Sequence, residues 1–221
     1  MIVDVVMLAL SNSDALFNMT QNAIDSLHSS ETNFLFNIVL LESNKTSPYH
    51  YENCTTLVPD IDTFNYNKYM NYGIQKTSNE YIILCNNDLV FHKGWFSAIY
   101  KHKDKSDSFS CWNNVGDWHK TRVAEPYPEY LEGYRIGSEV GGWCLVIKRN
   151  VFDVITLDDR VKFWCSDRVY VDALRKNNLK HGIVTNSFVD HLHESTSKTL
   201  SNKDRYELRD RQREIYNNIQ K

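Results

Sequence analysis

The sequence predicts an α/β protein with a mostly parallel central sheet flanked by helices. Apolar segments of strand length alternate with helix-length segments through the first half of the chain. Such alternation is typical of parallel sheets that are covered by helices on both faces. The apolar segments also contain few polar residues, as expected of strands that are buried on both sides.

Turn and cap residues define the first elements. Residues 2–10 form a short apolar strand, and the polar residues 11–14 can cap a helix that runs to about Ser29. Residues 34–41 are a second apolar run of strand length, and residues 55–58 are a weaker third. The chain therefore begins as strand, helix and strand.

A fourth strand carries the first polar cluster of interest. A helix over residues 66–76, opened by Asn65, leads to an almost wholly apolar strand at 81–85, and Asn86, Asn87 and Asp88 follow that strand. Ligands of parallel sheets bind beyond the carboxyl ends of the strands. The polar residues to examine first are therefore Ser11, Glu42 and Asp88.

The second half of the chain is less regular. Residues 111–138 show no clear periodicity and are expected to form a functional loop, and His181 reads as an ordinary loop residue. The other predicted elements are a strand at 141–149, helices at 151–155 and 166–177, a strand at 182–189 and a mixed-charge helix over 202–221. We find no repeat or linker, so we expect one domain over residues 1–200, with the helix of residues 201–221 packed on it or extending from it.

Composition excludes several classes of protein. The chain has 221 residues, 42% hydrophobic, 13% aromatic and 24% charged, with a net charge of −3, a balance that excludes intrinsic disorder. No segment approaches the roughly 18 consecutive apolar residues of a membrane span, and residues 1–10 lack the basic leader of a signal peptide. The slightly acidic total gives no global support for binding nucleic acid.

Cysteine usage indicates a reducing compartment. The five cysteines are odd in number and show no Cys-x-x-Cys spacing, which disfavours a disulfide framework or a zinc site. We therefore expect a cytoplasmic protein without a membrane partner, in the host cytoplasm if the chain is viral.

Two groups of residues are candidate metal ligands. Asp88 follows a buried strand, where a carboxylate can coordinate a divalent cation. A turn-forming Asn-Asn-Asp group is an equally good local explanation, because both residue types stabilise turns. His191 and His193 alternate along a predicted strand end, so both point to one face and either can be a ligand.

Four segments in chain order resemble the GT-A glycosyltransferases, most closely inverting family 2 and its small viral and bacterial relatives. In residues 64–88, a helix with Asn71 and Gly73 precedes a strand that ends in Asn86-Asn87-Asp88, similar to the family's Asp-x-Asp triplet. Residues 141–149 resemble its second Gly-containing strand, 157–167 the segment with the catalytic acid, and 189–193 the strand that ends in a metal-binding His. The resemblance implies a GT-A fold.

The resemblance also implies catalytic and metal-binding roles. Asp88 and His191 or His193 would hold Mn²⁺ or Mg²⁺ on the diphosphate of a nucleotide sugar, where the cation neutralises the leaving group. Asp167 would be the general base for the acceptor hydroxyl, with a pKa raised by its aromatic neighbours. A structural alternative is that Asp167 is a first-turn acid favoured by the helix dipole.

Further residues are expected around the donor and acceptor. Met70 stands where many relatives have Arg, so only Lys68 remains as a cation on this helix. The glycines would let the backbone approach the donor sugar, although a turn or bulge also explains them. The expected donor-binding residues are Leu10, Ser11, Glu42, Lys68, Asn71, Asn86, Asn87, Gly141 and Gly142. The expected acceptor residues are Trp112, Trp118, Trp143 and Trp164, for which core packing is the alternative.

The resemblance therefore implies an inverting, metal-dependent hexosyl- or pentosyltransferase that uses a UDP-sugar. The expected acceptor is a glycan, with a hydroxylated DNA base as the second choice, because small viral relatives modify such bases. The alternative function is a non-catalytic GT-A-like module that binds a nucleotide, favoured by the reduced triplet and the missing Arg. A sugar-1-phosphate nucleotidyltransferase would need a Gly-rich loop after the first strand, and residues 10–14 contain no Gly.

Overall fold

The computed structural model describes residues 1–115, 119–123, 125, 127–192 and 202–219. The strands are β1 (Ile2–Ala9), β2 (Leu35–Glu42), β3 (Thr55–Leu57), β4 (Tyr81–Asn86), β5 (Leu89–Phe91), β6 (Ser108–Trp112), β7 (Tyr130–Glu132), β8 (Cys144–Lys148) and β9 (His181–His191). The helices are α1 (Asp14–Ser29), α2 (Tyr66–Ile74), α3 (Trp95–Tyr100), α4 (Ser166–Lys176) and α5 (Asn202–Ile219), with a 3-10 helix at Arg149–Asp153.

These strands form one mixed sheet in the order β3-β2-β1-β4-β8-β6-β9-β5, with β7 beside β9. The first four strands pair in parallel, as predicted. β8 runs antiparallel to β4 and β6, while β5 and β7 run antiparallel to β9. The α/β class with a central sheet flanked by helices is confirmed. The sheet is parallel in its first half and mixed in its second, where strand–helix alternation breaks down but β6 still pairs in parallel with β9.

β1 is buried on both faces because its side chains alternate between two cores. Val3, Val5 and Met7 belong to the core that includes α1 and α3. Val6 and Leu8 belong to the core that includes α2 and α4. Burying such an aliphatic side chain stabilises the fold by about 1.5–3 kcal/mol relative to exposing it, so this strand fixes the centre of the sheet.

Side-chain caps start the first two helices at the predicted residues. Ser13 precedes α1 and accepts from the Leu16 N–H at 3.4 Å. Asn65 precedes α2 and accepts from the Lys68 N–H at 3.0 Å. Cys165 precedes α4 without a side-chain cap and has a left-handed backbone with φ of 69°. Such a conformation costs a non-glycine residue about 1–3 kcal/mol and is concentrated at functional sites.

Helix α5 contacts the rest of the domain through polar groups. Gln212 is 6% exposed and accepts from the Lys162 backbone N–H at 2.6 Å. The Tyr216 hydroxyl donates to Asp172 at 2.6 Å, and the Arg168 guanidinium lies 5.9 Å from the centre of the Tyr216 ring. These contacts join α5 to α4 and to the segment before it. Across the described residues, no helix is long and apolar enough to span a membrane.

His181 is not the loop residue that the sequence suggested. It begins β9 and is fully buried, with Nδ1 2.8 Å from Ser108 Oγ and Nε2 3.1 Å from the Glu139 carbonyl oxygen. Burial lowers the pKa of His181 to about 4, so the ring is neutral near pH 7. Partners from β6 and from the segment before β8 replace water around it, and local periodicity does not reveal such contacts.

Candidate active site

Two adjoining cavities open at the carboxyl ends of β1 and β4, where the sequence placed the site. The larger has a volume of about 260 Å³ and is lined in part by Asp167, Gly142 and Trp143. The smaller has a volume of about 70 Å³ and is lined in part by Asp88. The side chains that line both cavities are Tyr66, Asn86 and Phe163. Asp88, the predicted metal ligand, and Asp167, the predicted base, therefore lie in two cavities that share part of their lining.

Asp88 and His191 meet through the pairing of β5 with β9. Leu89 pairs with His191, and the Leu192 N–H donates to the Asp88 carbonyl oxygen at 3.0 Å. His191 Nε2 lies 3.3 Å from Asp88 Oδ1. The carboxylate is 1% exposed, and neither oxygen has an aligned hydrogen-bond partner among the described residues. The Trp143 ring stacks on the imidazole with ring centres 5.4 Å apart.

This arrangement fits a divalent cation. A buried carboxylate without hydrogen bonds is costly unless another charge compensates it. Mg²⁺ commonly takes one or two protein ligands and completes its coordination with substrate phosphates and water. Within the described ranges, no group of three or more His, Cys, Asp and Glu side chains could hold a metal, so a cation here would depend on such outside ligands. His193 and Trp118 lie outside the described residues.

Asp167 lies in the first turn of α4, at the wall of the larger cavity. Its Oδ1 accepts from the Arg168 N–H at 2.9 Å. Burial raises the pKa of Asp167, although the backbone and charge of Arg168 lower it in part. A carboxylate with a raised pKa is a stronger base near neutral pH. The geometry also retains the structural alternative, because an acid in the first turn is favoured by the helix dipole.

The glycine pair brings the chain close to Asp167. A Cβ added at Gly142 would lie 3.1 Å from the Asp167 Cβ, and one added at Gly141 would lie 2.9 Å from Trp143 Nε1. The Gly141 N–H donates to Ser110 Oγ at 2.9 Å. Close approach thus explains these two glycines, because larger residues would push against the carboxylate and the indole.

Comparison with solved structures identifies the fold. A crystal structure of S. aureus TarS 1–349 superposes with a TM-score of 0.60 at 12% identity, covering 85% of this chain and 59% of that one. A second S. aureus TarS structure gives 0.61 at 12% identity, covering 94% and 38%. A complex of TarS 1–349 with UDP-GlcNAc gives 0.58 at 13% identity, covering 94% and 64%. TarS is a GT-A glycosyltransferase of the family 2 type.

The chain has a GT-A fold. The resemblance read from the four sequence segments is thereby confirmed for the fold. The chain spans less than two thirds of the length of each of these three structures. No family model and no curated protein matches its sequence.

At the carboxyl ends of β1 and β2, where the sequence predicts donor binding, Glu42 is held from within the protein. It is fully buried, and its Oε1 accepts from the N–H groups of Ser11 at 3.3 Å and Asn44 at 2.8 Å. The Tyr51 hydroxyl donates to Glu42 Oε2 at 2.9 Å and also bonds Ser11 Oγ. Burial raises the pKa of Glu42, against these hydrogen bonds. The contacts shape the ends of β1 and β2, while direct donor binding by Glu42 and Ser11 stays a prediction.

Leu10 links the Asp88 cavity to a third, open one of about 350 Å³. The loop after β2 forms part of this third cavity, including Asn44 and Lys45. Its position beyond β1 and β2 is where the sequence places the nucleoside of the donor. Asn86 and Asn87 stand between the ends of β4 and β5. Asn87 Nδ2 donates to Thr20 Oγ1 at 2.7 Å, which ties the triplet to α1.

The two residues predicted to reach phosphate from α2 point elsewhere. Lys68 is exposed and lines none of the three cavities. Asn71 uses both ends of its amide on one residue, because its Nδ2 donates to the Leu157 carbonyl oxygen at 2.8 Å and its Oδ1 accepts from the Leu157 N–H at 3.2 Å. The structure thus corrects the expectation for Asn71, which supports the chain that leads to Asp167.

Two further asparagines hold the segment before α4: Asn65, which the sequence predicts only as a helix cap, and Asn67, which the sequence does not single out. Asn65 Nδ2 donates to the Asp159 carbonyl oxygen at 2.6 Å, and Asn67 Nδ2 donates to the Asp158 carbonyl oxygen at 2.8 Å. The only sequence signal is the recurrence of Asn around the start of α2. Because Asn is common at helix starts, that recurrence reads as ordinary capping.

The tryptophans divide between site and core. Trp143 and Trp164 line the larger cavity, as expected of residues near an acceptor. Trp112 is 4% exposed and packs with Val123 and Ile183. Its assignment to the acceptor surface is therefore wrong, because β6 lies inside the sheet and this ring fills the core beside it.

Proposed function

We propose that this chain is a metal-dependent, inverting glycosyltransferase that moves a sugar from a UDP-sugar to an acceptor hydroxyl. The observation that carries the proposal is the placement of two carboxylates, the buried Asp88 and the half-buried Asp167, in adjoining cavities that share Asn86. Under this proposal, the leaving group and the base lie on opposite sides of the shared lining. The complex of TarS with UDP-GlcNAc supports a nucleotide-sugar donor.

Each centre has a defined part in this reaction. Asp88 and His191 would hold Mn²⁺ or Mg²⁺, which when bound neutralises charge on the departing diphosphate. Asp167 takes the proton from the acceptor hydroxyl as that oxygen attacks the anomeric carbon from the face opposite the leaving group. Trp143 and Trp164 exclude water and offer aromatic faces to a sugar ring.

We propose a glycan as the acceptor. The described linings of the cavities that hold Asp88 and Asp167 contain no Lys or Arg. A nucleic-acid acceptor brings phosphates that cations normally neutralise. A neutral glycan needs no such cations, so the lining favours it over a hydroxylated DNA base.

The test is release of UDP from a panel of UDP-sugars, with Mn²⁺, with Mg²⁺ and with a chelator. We expect slow, cation-dependent UDP release with water as the acceptor, and faster release with a matching glycan. A non-catalytic nucleotide-binding module would bind UDP but release none from any UDP-sugar. That outcome would overturn the proposed activity.

A further inference from the structure

Tyr66, the first residue of α2, presents a hydroxyl group at the candidate active site. The residue lines the cavity of Asp88 and also the cavity of Asp167. Its hydroxyl makes no hydrogen bond with any described residue, and it keeps accessible surface, unlike the sealed carboxylate oxygens of Asp88. Polar groups inside a site are normally hydrogen-bonded to protein, water or ligand, so this hydroxyl is free to bind a group from outside the chain.

Three neighbours place this hydroxyl on the side of the cavities. It lies within electrostatic range of Asp167, Cys85 and Cys144. Cys85 precedes Asn86 on β4, and Cys144 follows Trp143 at the start of β8. Both Asn86 and Trp143 line the larger cavity. The hydroxyl therefore faces the carboxyl end of β4, where the two cavities meet.

The protonation state makes the Tyr66 hydroxyl a hydrogen-bond donor. Burial raises the pKa of Tyr66, and the two nearby thiols and the Asp167 carboxylate raise it further. A phenol with a raised pKa keeps its proton near neutral pH. The group can therefore donate a hydrogen bond to a ligand, and it does not compete with Asp167 as a base.

The junction of the cavities is where the scissile bond of a donor lies under the proposed function. The diphosphate occupies the Asp88 side, and the attacking oxygen approaches from the Asp167 side. The side chains that line both cavities are Tyr66, Asn86 and Phe163. Phe163 has no donor, and Asn86 is already an expected donor-binding residue. Tyr66 is thus the junction residue with a polar group and no assigned role.

Helix α2 brings no cation to this junction. Lys68 is exposed and lines none of the three cavities. Met70, one turn after Tyr66, is fully buried in the core that includes α4. The described linings of the two cavities contain no Lys or Arg. Beside any bound cation, the chain is left with neutral donors to offset the charge that develops on a departing oxygen.

We infer that Tyr66 is a further catalytic residue, whose hydroxyl donates a hydrogen bond to the departing oxygen of the β-phosphate. The bond between that oxygen and the anomeric carbon breaks, and its electron pair stays on the oxygen. The acceptor oxygen forms the new bond to the same carbon, and its proton passes to Asp167. Tyr66 keeps its own proton and stabilises the developing charge. The role rests on the proposed function, because it names a group that acts in that transfer.

Tyr66→Phe removes this hydroxyl and keeps the ring. Steady-state UDP release by the full chain is measured in Mn²⁺ with the UDP-sugar that reacts fastest. We expect kcat to fall by about tenfold to 100-fold, the effect of losing a hydrogen bond to a charged oxygen, with KM within about threefold of wild type. KM should hold because the bridging oxygen gains its charge only as the bond breaks.

Binding of the nucleotides alone locates the contact. UDP carries the released oxygen on its terminal phosphate, whereas UMP lacks that phosphate. Calorimetry in Mn²⁺ should therefore show that Tyr66→Phe binds UDP about tenfold more weakly than the wild type and binds UMP with unchanged affinity. Equal weakening of UDP and UMP would overturn the assignment to the β-phosphate.

A tyrosine on the same helix provides the control. Tyr72 lines none of the three cavities, so Tyr72→Phe should leave kcat, KM and UDP affinity unchanged. The melting temperature of Tyr66→Phe should not fall, because the lost hydroxyl has no partner among the described residues. A lower melting temperature together with weaker UMP binding would show that the hydroxyl supports the fold, and would overturn its catalytic role.

The rates separate failure of this inference from failure of the proposed function. If the wild type is active and kcat of Tyr66→Phe stays within about threefold of it, the role of Tyr66 alone is overturned. A raised KM with unchanged kcat would also overturn it, because the hydroxyl would then bind the donor before transfer. If the wild type releases UDP from no UDP-sugar, the proposed function is overturned, and the role of Tyr66 with it.

Discussion

Two buried carboxylates, Asp4 and Asp88, differ sharply in the hydrogen bonds that they accept. Asp4 is fully buried and accepts from Asn37 at 2.7 Å, from the Ser78 N–H at 2.8 Å and from the Asn79 N–H at 2.6 Å. Asp88 is almost as buried, and apart from His191 Nε2 at 3.3 Å from Oδ1 its carboxylate oxygens have no polar partner among the described residues. Most buried polar groups in native proteins are hydrogen-bonded, so the contrast supports the proposed site role of Asp88 and a scaffold role for Asp4.

Asp167→Asn should lower UDP release from the preferred UDP-sugar by about 10²–10⁴-fold, the usual contribution of a general base, with UDP affinity retained. Because the pKa of Asp167 is raised by burial, wild-type activity should fall as the pH drops through that raised value. The same burial penalises the ionised carboxylate at neutral pH, so the variant should melt at an equal or higher temperature. Rates and melting curves from about pH 4 to pH 8 check this.

The control for that experiment is Asp104→Asn, which removes an exposed acid outside the cavities. It should change neither the rate nor its pH profile. If the Asp167→Asn variant released UDP at a rate within about threefold of the wild-type rate, the general base would be another group.

Asp88→Asn should abolish the advantage that Mn²⁺ gives to UDP binding, because an amide is a far weaker cation ligand than a carboxylate. We expect UDP affinity in Mn²⁺ to fall at least about tenfold, to the value measured with a chelator. Calorimetric titration with and without Mn²⁺ measures both values. Asp153→Asn, at an exposed position, should retain the cation effect; a retained effect in Asp88→Asn would remove Asp88 from the cation site.

At the scale of elements, α2 acts as a clamp on the segment that precedes α4. Asn65, Asn67 and Asn71 bond the backbone of residues 157–159. On the other side of that segment, Gln212 of α5 accepts from the Lys162 N–H at 2.6 Å. Asp167 lies in the first turn of the next helix, so its position depends on contacts from two helices distant in sequence.

Asn71→Ala should destabilise the protein by about 1–3 kcal/mol, because it leaves the Leu157 N–H and carbonyl oxygen without their partner. Amide hydrogen exchange should become faster in residues 157–162, and UDP release should fall while UDP affinity holds. Urea unfolding and exchange mass spectrometry measure these effects. Lys68→Ala, an exposed change on the same helix, should stay within about 0.5 kcal/mol of wild type; similar behaviour of the two variants would contradict the clamp.

How much of the fold the sequence predicts depends on how local the determining contacts are. The first strands and helices follow from apolar runs and caps such as Ser13 and Asn65, which act within a few residues. β5, β6 and β7 are short and gain their place by pairing with β8 or β9, far along the chain. Motifs mark Asp88 and Asp167 as candidates, whereas the bonds of Asn67 and Asn71 to residues 158 and 157 depend on packing far along the chain.

At the scale of the whole molecule, a charge pair between the buried Asp4 and the half-buried Arg149 joins the parallel half of the sheet to the mixed half. The Arg149 guanidinium, at the end of β8, lies 3.1 Å from Asp4 on β1 and also donates to the Asn79 carbonyl oxygen at 3.1 Å. This cluster lies at the amino end of β1, opposite the cavities. Scaffold and site therefore occupy opposite ends of the same strand.

The placement of Asp4 predicts how stability depends on pH. Burial alone would raise the pKa of Asp4, but hydrogen bonds from Asn37, Asn79 and Ser78 outweigh it and hold the pKa below its usual value. A group with a depressed pKa stabilises the fold above its unfolded pKa of about 3.9, and this stabilisation is lost as the pH falls through the folded value. Asp4→Asn leaves Arg149 without its charge partner and should cost about 3 kcal/mol at pH 7.

The free energies of unfolding of the wild type and of Asp4→Asn should therefore converge as the pH falls. Urea unfolding from about pH 7 to pH 3 should show the wild type losing stability more steeply below about pH 4 than the variant does. Asp60 provides the contrast, because Lys45 lowers its pKa too, but the pair is exposed to solvent; Asp60→Asn should leave the curve almost unchanged. If the free energies of unfolding of the wild type and of Asp4→Asn changed in parallel with pH, the charge of Asp4 would make no contribution to joining the two halves of the sheet.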